Sequence, residues 1–119
     1  MDELAHMHCT RIDANTKPLN KSEIDQLAAH LSGWQVIEKN GELCLENIFG
    51  FGNFRKAMDF TTQVAQVSDE EDHHPAILTE WGKVTVTWWT HRIKGLHQND
   101  FIMAAKTSNI YGDQNGTDK

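Results

Sequence analysis

The 11 Lys and Arg residues of this 119-residue chain form no basic run, and 17 acidic side chains leave a net charge of -6. That lack argues against a nucleic-acid backbone or an anionic membrane as the main partner, because both reward clustered cations. Also missing is any apolar stretch near the ~18 residues that a membrane span needs. Met1-Asp2-Glu3-Leu4 has neither the basic nor the apolar region of a secretory signal, so the expectation is a cytoplasmic protein without a membrane partner. Cysteine is scarce: Cys9 sits in a polar leader and Cys44 in a strand pattern. Two thiols in such unlike contexts predict free cysteines, not a disulfide framework. Length excludes a second core, and 39% apolar with 24% charged residues is ordinary for a soluble globule.

What is present reads as one domain over residues 19–107, between a flexible leader (1–18) and a flexible polar tail (108–119). Asn20-Lys21-Ser22-Glu23 forms a capping box, followed by Ile24, Leu27, Ala28 and Leu31 at helical spacing, with Gly33 as the stop. Two apolar runs, 34–38 and 43–49, flank Asn40-Gly41, the strongest short-range hairpin signal. A second helix begins near Asn53. Phe54, Ala57, Met58, Thr61, Val64 and Ala65 mark one face, while Phe60, Val64 and Val67 widen it beyond what one core contact requires. Residues 76–80 and 83–90 predict a second hairpin around Trp81-Gly82. Asn99-Asp100 then opens a third helix with Phe101, Ile102, Ala104 and Ala105 inward. The order αββαββα predicts an α+β fold, a four-stranded antiparallel sheet with helices on one face.

Chemistry concentrates late in the chain, in Asp72-His73-His74-Pro75, His91 and Asp100. Histidine titrates nearest neutrality, so such a cluster suits proton transfer or metal ligation. Alternation puts Val84, Val86 and Trp88 toward the core, and Thr85, Thr87, Trp89 and His91 on the open sheet face. Pairing Glu80 with Lys83 across a two-residue turn places Trp89 opposite His74, Thr90 opposite His73 and His91 opposite Asp72. Sequence-distant His91 is thereby expected beside the His73-His74 pair. His30 and His97 read as solvated.

The chain resembles the pterin-4a-carbinolamine dehydratase family. The residues that carry the likeness are Asp69, His73-His74-Pro75, Trp81, His91 and Asp100, with Gly33-Trp34 and the helix pattern of 51–60. Asp69 stands where many members have Glu, a shorter carboxylate arm. The resemblance implies dimers or tetramers and the dehydration of 4a-hydroxytetrahydropterin to quinonoid dihydropterin after aromatic amino acid hydroxylation. The enzyme would be a hydro-lyase that recycles a tetrahydrobiopterin-type cofactor and needs no cofactor of its own. By the same resemblance His73 and His91 are the candidate acid and base, and His74 mainly positions the pterin. Asp100 would hold His91 in one tautomer. The substrate-binding set extends to Asp69, Asp72, Trp89, Thr90, Arg92 and Trp34, with Trp34 equally readable as a hydrophobic plug.

Two rival readings stand beside this one. A metal site could draw on His74, His91 and Asp100, although adjacent residues of an extended chain point to opposite sides and leave the His pair unexplained. A regulatory or dimerisation protein, partnering a phenylalanine hydroxylase or a transcription factor, is the other, since animal members of the family have such a second role.

Overall fold

A computed structural model describes residues 3–116. Its elements run α1 (Glu3–His6), α2 (Lys21–Ala28), β1 (Gln35–Lys39), β2 (Glu42–Gly50), α3 (Phe54–Glu71), β3 (Ala76–Glu80), β4 (Lys83–Trp88), a 3-10 turn (His91–Ile93) and α4 (Gln98–Gly116). The sheet is antiparallel throughout, in the order β1-β2-β4-β3. This is the α+β architecture expected, with one short helix added at the start.

Local rules place most of these elements. The Asn20 side chain accepts from the Glu23 N–H while Glu23 accepts from the Asn20 N–H, closing the capping box on α2. Asn40 and Gly41 both adopt positive φ, 54° and 83°, as a tight turn between twisted strands requires. Asn53 caps α3 through the Lys56 N–H. The second hairpin pairs from Glu80 with Lys83 to Ala76 with Thr87, the register read from the sequence.

One sheet face carries the core: Leu45, Phe49, Val84, Val86 and Trp88 are buried beneath α3 and α4. The phase of α3 differs from the sequence reading. Ala57, Phe60, Val64 and Ser68 form its buried stripe, whereas Phe54 and Met58 face outward. So many apolar positions surround this helix that periodicity fits two phases, and the ring of Phe60 decides between them. It packs 5.0 Å from Phe49, 5.2 Å from Phe51 and 5.9 Å from Tyr111.

The ends are better held than composition implied. In α4, Phe101 to Ala105 are all buried, and a helix apolar on every side needs cover on every side. The sheet covers one side and α1 another, with Leu4 in the core and Lys106 donating to the Ala5 carbonyl. The leader is therefore docked from residue 3 onward, which corrects the expectation of a loose segment there. Nor does the domain end at residue 107. Helix α4 continues to Gly116, and Tyr111 donates to the Gly50 carbonyl at 3.0 Å. The last tail residues, 117–119, lie outside those described. Among the described residues no helix is long and apolar enough to cross a membrane.

Candidate active site

The site begins where α3 stops. Asp72 takes the left-handed conformation (φ 53°) that ends helices, one that Asp tolerates better than most residues. The chain reverses there, and the His73 N–H returns to the Ser68 carbonyl. His73 is thereby directed inward, where its Nε2 meets Asp100 Oδ1 at 2.6 Å. Its ring lies 5.8 Å from that of Trp88 and 6° from parallel, a stacked pair.

Asp100 is fully buried at the start of α4, so its charge needs partners. It has three donors: His73 Nε2, the Thr90 hydroxyl at 2.8 Å and the His97 N–H at 3.0 Å, the last two on Oδ2. The Asp100 carboxylate accepts from the His73 Nε2–H, which fixes the tautomer and leaves Nδ1 without a partner among the described residues. His73 borders a cleft of about 460 Å³ together with Asp72 and Arg92.

The other histidines are placed differently. His91 meets Glu42 Oε1 at 3.2 Å, and its side chain is 78% exposed. It borders a second cleft, of about 370 Å³, on the open sheet face with Cys44, Thr87 and Trp89. The turn His91–Ile93 stands between the two clefts, with His91 in one and Arg92 in the other. His74 pairs with Asp69 at 3.0 Å on the surface. Asp100 thus holds His73 rather than His91, a correction. The expected pairs Trp89 with His74, Thr90 with His73 and His91 with Asp72 do not form either. Pro75 brings no N–H to the ladder, which stops at Ala76, and Thr90 bridges to Gly95 instead.

Two further residues, Trp34 and His97, depart from the sequence reading, while Trp81 sits at the turn expected. Trp34 donates its indole N–H to Ser108 and packs edge-on against Phe49, so it plugs the core margin and borders neither cleft. Trp81 is exposed at the β3–β4 turn. His97 is half-buried: its ring accepts from the Asn99 N–H, and burial, ahead of the nearby His73, pushes its pKa below the ordinary value despite Asp100. Sequence reasoning missed the His73–Trp88 stack and the Glu42 partner of His91. Trp88 could have been found by carrying strand parity one step further, because the core-facing end of β4 must abut whatever precedes β3.

A convergent metal site is absent: among the described residues no three His, Cys, Asp or Glu side chains gather to hold an ion. His74, His91 and Asp100 turn to three different partners. Cys9 and Cys44 are free thiols.

Residues 17–110 match the model of the pterin 4 alpha carbinolamine dehydratase family. A protein of Microcystis aeruginosa named "Putative pterin-4-alpha-carbinolamine dehydratase" is 48% identical over 115 residues, 97% of this chain and 99% of its own length. One of Nitrosococcus oceani with the same name is 46% identical, over 92% of this chain and 97% of its own. Among solved structures, a transcriptional coactivator/pterin dehydratase from Brucella melitensis superposes with a TM-score of 0.74 at 32% identity, covering 81% of this chain and all of that one. A pterin dehydratase-like RuBisCO assembly factor of the alpha-carboxysome shares the fold, with a TM-score of 0.58 at 23% identity over 70% of this chain and 94% of that one. The chain belongs to the pterin-4a-carbinolamine dehydratase family.

Proposed function

We propose that this protein dehydrates 4a-hydroxytetrahydropterin to quinonoid dihydropterin in the cytoplasm, by histidine acid/base catalysis and without a cofactor. In this role it recycles the pterin used by an aromatic amino acid hydroxylase such as a phenylalanine hydroxylase. In the reaction the C4a–O bond breaks and its electron pair leaves with the hydroxyl, which takes a proton and departs as water. N5 gives up its proton, and its electron pair closes the N5–C4a double bond. Nothing is oxidised or reduced, and two groups that titrate near neutrality suffice.

The observation that carries this reading is the enclosed His73. Asp100 fixes its tautomer, Trp88 fixes its plane, and Nδ1 remains to exchange a proton with a ligand in the cleft. His91 is the second acid/base group, reaching the substrate from the other side of its turn. His74, with Asp69 and Asp72, holds the pterin at the rim, and Trp89, Thr90 and Arg92 complete the surroundings. A coupled assay tests this directly: purified protein, stripped with chelator, should speed the decay of 4a-hydroxytetrahydropterin. Decay at the uncatalysed rate, or activity that vanishes on chelation and returns with one metal, would count against it.

A contact with another copy, giving a dimer or tetramer, is supported by exposed apolar side chains. Ile48 and Leu78 flank Thr85 in one row of the open sheet face, and Phe54 and Met58 stand out from α3. Light scattering at tens of micromolar should report more than a monomer, and a strictly monomeric mass would refute self-association.

A further inference from the structure

We infer that residues 9–12 of the leader form a wall of the His73 cleft, and that Glu71 and Asn99 are positioning residues that hold this wall against the pterin. The inference rests on the dehydratase reading. It goes beyond the family likeness, whose match starts only at residue 17.

Residues 9–12 line the cleft together with Glu71, Asp72, His73, Arg92 and Asn99. This leader segment has no secondary structure of its own, yet three side chains from distant parts of the chain fasten its backbone. Glu71 Oε1 accepts from the Cys9 N–H at 2.7 Å while its Oε2 meets His8 Nδ1, also at 2.7 Å. Asn99 engages both backbone groups of Thr10, accepting from its N–H at 2.9 Å and donating to its carbonyl at 2.8 Å. Arg92 donates to the Ile12 carbonyl at 3.0 Å. Asn99 is almost fully buried, and a buried amide engaged on both backbone groups of one residue fixes that residue in place.

Each fastener is the immediate chain neighbour of a site residue. Glu71 precedes Asp72-His73, Asn99 precedes Asp100, and Arg92 follows His91. The elements that set the histidines therefore also set the wall, so the width of the cleft is fixed relative to His73 Nδ1. The wall is chemically quiet at Cys9, whose thiol burial pushes up to about 12, assisted by the nearby Glu71 and Asp100 charges. It is not quiet at Arg11, which lines the cleft and whose guanidinium has no partner among the described residues. Such a wall excludes water from one side of the ligand and offers it fixed polar contacts, a contribution to ground-state binding more than to the chemical step.

Kinetics combined with proteolysis of the full-length protein tests this. Glu71→Ala should speed tryptic cleavage after Arg11 and raise KM about fivefold, the order expected for one lost hydrogen bond, with kcat changed by less than about twofold. Glu71→Gln, whose amide oxygen still accepts from the Cys9 N–H, should recover most of the KM. Thr10→Pro, at an exposed position, deletes the N–H that Asn99 accepts and should act like Glu71→Ala, even if the latter fails to fold. Faster cleavage with unmoved KM, or unmoved cleavage in both variants, overturns the wall while the dehydratase reading survives. Wild-type protein without dehydratase activity overturns both.

Discussion

His73 with Asp100 and His91 with Glu42 are the same chemical pair built in two environments. The first is enclosed, with side-chain exposures of 10% and 0% at 2.6 Å; the second is at the surface, 78% and 16% at 3.2 Å. An exposed ion pair contributes on the order of 0–1 kcal/mol and is free to rearrange. A buried carboxylate persists only when its oxygens are satisfied, because desolvating a charged group costs several kcal/mol. Asp100 meets that condition through Thr90 and the His97 N–H. His73 is accordingly held by the fold itself, whereas His91 is held only by a surface contact. Likeness of residue type therefore says little about likeness of role, and the surroundings of each carboxylate decide.

Substitutions at the two pairs put that contrast at risk. His73→Ala should lower kcat by about 100-fold or more, the range for loss of a positioned acid or base. His91→Ala should match it if the exposed imidazole is the second acid/base group; a near-wild-type kcat would demote His91 to a rim contact. The double variant should lose less than the product of the two, since both groups serve one elimination. Asp100→Asn comes next, at about 10-fold in kcat. The imidazole remains, but an amide presents its own N–H to one of three donors, so the melting temperature should fall as well. Glu42→Gln should stay within about twofold in kcat, because a surface partner imposes little on His91. Equal losses in Asp100→Asn and Glu42→Gln, read by steady-state kinetics, would erase the distinction between the pairs.

Legibility in the sequence follows the range of the physics involved. The capping box at Asn20, the turn at Asn40-Gly41 and the Glu80–Lys83 register are local rules, and each holds. The sequence reading went wrong where a local rule was extended past its support. The second hairpin was continued to residues 72–74, although Pro75 interrupts the donors and Asp72 turns the chain away. The placing of Asp100 on His91 came from the resemblance, whereas Asp100 holds His73, with Thr90 on the carboxylate and Trp88 stacked on the imidazole. The docked leader leaves no periodic trace, because Glu71 and Asn99 hold it mainly by its backbone N–H and carbonyl groups. Its one signal was indirect, the five consecutive apolar residues Phe101 to Ala105 that a single sheet contact cannot cover.

The smallest expected effect concerns acid, and it separates the leader latch from the buried dyad. Burial pushes the Glu71 carboxyl upward, but the Cys9 N–H and His8, with Lys106 beyond, pull harder and set its pKa below the ordinary 4.5. A carboxylate depressed on folding contributes stability that is fully present above its unfolded value. The contribution is lost as pH falls through the lower folded value. Leader docking should therefore be intact from neutrality down to about pH 5 and weaken only below 4.5. The protonated carboxyl still offers an oxygen to the Cys9 N–H, so the loss is partial. The amide shift of Cys9, followed by NMR, should move with a midpoint below 4.5. In Glu71→Gln that movement should disappear, with the amide held at every pH. A Cys9 midpoint at or above 4.5 would mean that Glu71 gains nothing from the leader, leaving Asn99 and Arg92 alone to hold it.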